Sequence, residues 1–263
     1  MWRLINSGPG GGAWNMAVDE ALFEACIRGE APPTLRFYSW QPPAITLGHF
    51  QPAESALKLE ACRAHGLEVA RRPTGGRAIL HDKELTFSII APLAALSSKG
   101  VMDSYRRVAQ GIIAGLNKLG VAAELVDNRT RTDCRPKTLP PDRQQSPAAC
   151  FAVKARCDLI TQGKKIVGSA QAHRKECVLQ QNSLPFVIES EKWKELFLGM
   201  DKVGDEAIGL WDAARREIDF EQAAEALARG FAEALKLELM PTELSVAERA
   251  RALEMVDRNL FAQ

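Results

Sequence analysis

The feature that most limits the fold is how strand-like and helix-like segments are distributed. They interleave up to about residue 200, and beyond that only helical pattern remains. WRLIN near the N-terminus, TLRFY, AITLGHF, LEVARR, RAIL and ELTFSII read as strands, being short and rich in β-branched and aromatic residues. Gln41-Pro42-Pro43 is a turn signal between TLRFY and AITLGHF. RAIL and ELTFSII are expected to form a hairpin around His81-Asp82. Apolar residues at helical spacing predict helices over 15–27, about 55–65 and 103–119, with Gly120 as the stop of the last. Further strands are expected in ARCDLITQGKKIVGSAQ and CVLQQNSLPFVI. FEQAAEALARGFAEAL and SVAERARALEMVDRNLF carry apolar residues at i, i+3, i+4 spacing and predict helices. The expected organisation is a mixed body over residues 1–200, with 201–263 a helical C-terminal segment packed on it.

Charge and apolar patterning narrow the function. Lysine and arginine number 34 against 33 acidic residues, a formal net charge of +1. No global field then favours nucleic acid or an anionic membrane as partner. The N-terminus has no basic region followed by an apolar run, so it does not read as a signal peptide. No apolar stretch approaches the roughly 18 residues of a bilayer span. A cytoplasmic location is expected. The 6 cysteines contain no C-x-x-C pair, which argues against a zinc framework. Cys26, Cys62, Cys157 and Cys177 lie in helical or strand-like runs, where a buried thiol is a small hydrophobe. Cys150 stands apart, at the end of a polar stretch over 127–149 with 5 basic residues and 4 prolines. That stretch reads as a long surface loop. Its Arg129, Arg131, Arg135, Lys137 and Arg143 form a solvated basic rim or a steering surface for acidic partners.

Three motifs invite chemistry. GPGGGA, Gly8 to Ala13, follows a strand and opens a helix, as a dinucleotide-binding turn does. The acidic residue such a site needs at the end of the next strand is missing, so a glycine turn into a helix suffices. RRPTGGRAILHDKELTFS offers Gly75-Gly76, whose bare backbone lets a ligand approach, with Arg71, Arg72 and Arg77 close by. Spacing alone does not name that ligand. Cys150 is followed by the hairpin that carries Lys164 and Lys165, and a nearby cation favours a reactive thiolate. From spacing alone, a loop cysteine and two solvated lysines remain an equal alternative.

NMAVDEAL, RFYSWQPPAITLGHFQ, RRPTGGRAILHDKELTFS, ACF, GKKIVGSAQ and LQQNSL together resemble the lipoate-protein ligase and octanoyltransferase family, most closely its LipM-type octanoyltransferases. The resemblance covers most of residues 1 to 185. It implies an α+β fold, a mixed and largely antiparallel sheet flanked by helices, as in the catalytic domain of biotin and lipoate protein ligases. It implies an acyl pocket lined by Arg72, Thr74, Gly75, Gly76, Arg77 and Ala78, by His81 at the turn, and by Gly168, Ser169 and Ala170. Lys165 matches the family's active-site lysine, and Cys150 matches the acyl-accepting cysteine of the LipM type. Where the family often reads His-Gly, this chain reads Gln181-Asn182.

The activity so implied is an acyltransfer. An octanoyl group passes from octanoyl-acyl carrier protein to Cys150, and then to a lysine of a lipoyl carrier domain such as the glycine cleavage H protein. Neither ATP nor metal is required, because one thioester is exchanged for another and the final amide is downhill. At roughly 0.8 kcal/mol per buried CH₂, the octanoyl tail would contribute on the order of 5 kcal/mol of binding. ATP-dependent lipoate ligation, cysteine-dependent amidotransfer between lipoyl domains, and a non-catalytic acyl-binding module are the competing readings.

Overall fold

The computed structural model describes residues 1–96, 100–126, 151, 158–199 and 203–261. In chain order the first half comprises β1 (Trp2–Gly10), α1 (Gly12–Arg28), β2 (Thr34–Trp40), β3 (Ala44–Leu47), α2 (Leu59–Ala64), β4 (Glu68–Arg71), β5 (Ile79–His81) and β6 (Glu84–Pro92). The short α3 (Leu93–Leu96) then precedes α4 (Val101–Lys118) and β7 (Glu124–Leu125). The hairpin strands β8 (Leu159–Thr161), β9 (Lys164–Arg174) and β10 (Cys177–Pro185) follow. The C-terminal part holds α5 (Ser190–Leu196), α6 (Val203–Glu206), α7 (Leu210–Ala214), α8 (Phe220–Leu235), β11 (Leu239–Pro241) and α9 (Val246–Asn259).

Eight strands form one sheet in the order β11-β1-β2-β6-β10-β9-β8-β7. The pairings of β1 with β11 and with β2 are parallel, and the rest of the sheet is antiparallel. A second sheet, β4-β3-β5, has three strands. Alternation along β2 and β6 sends Leu35, Phe37, Leu85 and Phe87 into a core with Val108, Ile112 and Leu116 of α4 and Leu227 and Phe231 of α8. The opposite face is covered by α1 and α9, where Ile5, Ile90 and Leu179 meet Leu22, Phe23 and Met255. The α+β class and the largely antiparallel sheet are thus as expected. The C-terminal segment brings β11 into the large sheet as well as its helices, and Arg3 of β1 pairs with Glu248 of α9 at 2.6 Å. Both long C-terminal helices start on capping boxes, Asp219 with Gln222 and Ser245 with Glu248.

The hairpin expected around His81-Asp82 is not formed. β5 pairs with β3 in the small sheet, while β6 pairs with β2 and β10 in the large one. A two-residue hairpin turn needs left-handed backbone at its centre, and neither Asp82 nor Lys83 has positive φ. The chain instead crosses between the sheets here, which sets His81 in the cleft between them. By contrast Gln162 and Gly163, both at positive φ, close the β8–β9 hairpin as a tight turn does.

Close helix packing depends on glycine where α4 and α8 cross. A Cβ on Gly230 would fall inside contact distance of the Gly115 backbone. Gly230→Ala is expected to cost about 1–3 kcal/mol through overpacking, read as a lower urea midpoint with unchanged slope. Among the described residues no helix is long and apolar enough to cross a membrane.

Candidate active site

Between the two sheets lies a pocket that opens to solvent on one side. Its lining crosses the large sheet in one registered row: Tyr38 of β2 pairs with Thr86 of β6, Thr86 with Ser183 of β10, and Ser183 with Gly168 of β9. Met16 of α1, Thr46 of β3, and Ile79 and His81 of β5 complete it together with Trp40, Arg72 and Gly76. Gly76 is exposed and Ser169 and Ala170 are partly exposed, whereas Met16, Tyr38 and Trp40 are buried. The cavity therefore opens between the Gly75-Gly76 turn and β9, and it is closed toward β2 and α1.

Much of this lining is polar by residue type, yet its polar atoms are spent on one another. Arg72 donates through Nε and Nη2 to the Gly75 carbonyl, through Nη2 to that of Arg77, and through Nη1 to the carbonyl and hydroxyl of Thr46. All five of its N–H donors are thus engaged in clamping the turn. A carboxylate can only accept, so Nδ1–H of His81 donates to Glu84 at 2.7 Å; Nε2 lies 2.8 Å from the Thr46 hydroxyl. The His81 ring stacks on Trp40 with centroids 3.9 Å apart. Glu84 also accepts from Trp40 Nε1, Ser183 and Thr86. Deeper in, the Arg36–Asp19 pair at 2.6 Å is fully buried, and Asp19 also accepts from Tyr38, Ser88 and Gln181. Burial and then the Asp19 charge push the Tyr38 phenol well above its ordinary range, so it stays protonated. What these groups present to the cavity is largely carbon: an aromatic face, methyls and a thioether. That surface suits an alkyl chain.

Lys165 is not among the residues that line this cavity. It lies on β9, three residues before Gly168 and about 10 Å away along the strand. Its side chain is almost wholly buried, with Nζ 3.0 Å from Asp158 Oδ1. The same nitrogen sits 5.6 Å from the centre of the Phe151 ring. Phe151 is fully buried and packs edge-on against Trp193. Cys150, expected to be the acyl acceptor, lies outside the described residues, as do Cys134, Cys157 and the basic stretch 127–149.

The remaining expected residues take varied places. Thr74 is buried and donates to Gln181 at 2.7 Å, tying the turn to β10. Gly76 has φ of 93°, and a Cβ there would sit 2.9 Å from Arg72 Nη2 and 3.8 Å from Ala170 Cβ, so a side chain would crowd the mouth. Gly75, Arg77 and Ala78 belong to the same turn, where Gly75 and Arg77 offer their carbonyls to Arg72. The glycine turn at 8–13 is no phosphate cradle: the Glu68 carboxylate accepts from the Ala13 amide at the start of α1 and fills that position. Cys26, Cys62 and Cys177 are buried, and Cys26 and Cys177 lie 3.3 Å apart. Burial, then the neighbouring thiol, pushes Cys26 up to about 12, so it stays unreactive.

Several residues in and behind the lining carry no sequence signal of their role. Glu84, Thr86 and Ser88 alternate with apolar residues on β6, which reads as a solvent-facing edge of a strand. All three are buried. Met16, Tyr38, Trp40, Thr46, Ile79 and Ser183 likewise join the site only through the fold. Asp158, the partner of Lys165, is 7 positions upstream of it and across a hairpin turn.

Comparison with known proteins identifies the family. The model of the lipoyl protein ligase A/B catalytic domain matches residues 12–232. The octanoyltransferase LipM of Kyrpidia tusciae is 40% identical over 98% of this chain and 96% of its own length. That of Geobacillus kaustophilus is 37% identical over 97% and 94%. A solved lipoate-protein ligase A bound with ATP superposes with a TM-score of 0.78, covering 97% of this chain and 94% of that one. At 24% identity it speaks for the fold alone. The chain belongs to the lipoyl protein ligase A/B catalytic domain family, within its LipM-type octanoyltransferases.

Proposed function

We propose that the chain transfers an octanoyl group from octanoyl-acyl carrier protein to a lysine of a lipoyl carrier domain, through a thioester on Cys150. The observation that carries this reading is the position of Lys165. Its buried ammonium lies over the ring of Phe151, the residue one peptide bond after Cys150, on a strand that also walls an alkyl-lined cavity. The Cys150 thiolate attacks the acyl carbonyl, a new C–S bond forms, the carrier's C–S bond breaks, and the carrier sulfur takes up the proton that Cys150 gave up. The neutral acceptor amine then attacks, an amide C–N bond forms as the C–S bond to Cys150 breaks, and the amine's proton passes to solvent while the Cys150 thiolate is released. Lys165, its position held by Asp158, stabilises the oxyanion of each tetrahedral intermediate. Backbone amides of the Gly75–Arg77 turn are further donors toward that oxygen. Splitting the transfer lets two bulky carriers use one site in turn. The glycine cleavage H protein is the proposed acceptor, and the reaction uses neither ATP nor metal.

Mass measurement of the intact protein tests this reading. Incubation with octanoyl-acyl carrier protein, without ATP, is expected to give a hydroxylamine-labile octanoyl adduct that is absent in Cys150→Ala. An adduct formed only from octanoylated H protein would instead identify amidotransfer. No adduct, with ATP-dependent modification of a carrier domain, would identify a ligase.

A further inference from the structure

We infer that Met16 sets the longest acyl chain the site accepts. The inference rests on the acyl reading of the cavity, and it concerns the end of the cavity farthest from the reacting groups. The registered row Gly168, Ser183, Thr86, Tyr38 crosses three inter-strand gaps. At about 4.8 Å per gap, the cavity runs roughly 14 Å across the sheet. All four residues of that row are buried, and the partly exposed lining, Ser169 and Ala170, lies beside its β9 end. A chain whose carbonyl is held at the β9 end, near Lys165, thus directs its methyl end toward β2 and α1.

There the cavity ends on Met16, which packs in one cluster with Tyr38, Trp40 and Ala44. Tyr38 and Trp40 have little freedom to yield. The phenol donates to Asp19, and the indole nitrogen donates to Glu84 and Thr86. Gln181 Nε2 donates to Asp19 at 2.7 Å and also lies 3.4 Å from Met16 Sδ. Gln181 Oε1 accepts from the buried Thr74 hydroxyl, so one amide is shared between the turn and the thioether. Met16 is the unbranched, adaptable member of this wall, and its size decides where a chain must stop.

The test is the chain-length profile of hexanoate, octanoate, decanoate and dodecanoate, measured as binding of the free alkanoates by calorimetry and as transfer from the matching acyl-carrier proteins. Each buried methylene is worth about fourfold in affinity, so the two extra methylenes of decanoate should gain roughly tenfold or more over octanoate in Met16→Ala. Met16→Phe should move the optimum to hexanoate. Both are ratios within one variant, which do not depend on the fraction of active protein. Retention of the wild-type optimum by both variants, or uniform weakening at all lengths, would overturn the assignment. Wild-type protein that binds octanoate best but forms no adduct from octanoyl-acyl carrier protein would refute the transferase chemistry and leave the role of Met16 standing.

Discussion

Cys150→Ser is expected to slow octanoyl transfer by about 10³-fold or more while leaving the thermal midpoint unchanged. A hydroxyl is a poor nucleophile at neutral pH, and an oxyester formed on it would not be in near-balance with the carrier thioester. The substitution leaves Phe151, the next residue, in place, and Phe151 is fully buried against Trp193. The substitution should therefore be read as chemistry and not as unfolding. Single-turnover transfer from octanoyl-acyl carrier protein, beside a melting curve, checks both halves. Transfer by the serine variant at the wild-type rate would remove the covalent intermediate.

Lys165→Met should fail in two separable ways. The lysine and Asp158 are both nearly buried, at 3% and 6% side-chain exposure. Removing one partner leaves a buried carboxylate, at a cost of about 3–5 kcal/mol. It also removes the cation proposed for the oxyanion, for about 10²–10³-fold in rate. The double variant Lys165→Met/Asp158→Asn is expected to recover most of the stability, read from denaturant midpoints, and none of the rate. If rate returned together with stability, Lys165 would act only by holding β8 and β9 in place.

Both predictions use residues that could be named from their motifs, and the helical elements were legible in the same way. Apolar spacing over 15–27 fell within α1, and FEQAAEALARGFAEAL coincides with α8. The neighbouring β5 and β6 were legible as strands, but their pairing was not. Two adjacent strand-like runs look like a hairpin unless the turn chemistry between them is weighed, and Asp82-Lys83 lacks it. The cost of that misreading falls on the site, because the crossover between sheets is what brings His81 against Trp40.

By itself the sequence marked the long helices, most of the strands and the direction of their apolar faces, and it singled out two segments, RRPTGGR and GKKIVGSAQ, as candidates for the chemistry. Those properties are local: period, turn residues and capping boxes act over a few positions. Only the tertiary structure decided that the polar face of β6 is buried, that Glu84 gathers Trp40, His81 and Ser183, and that Met16 lines the cavity. The reason is physical. Alternation says which side chains share a face, but not whether water or a second sheet covers it. Hydrogen-bond partners such as Gln181 and Asp19, 162 positions apart, meet only when the chain has folded.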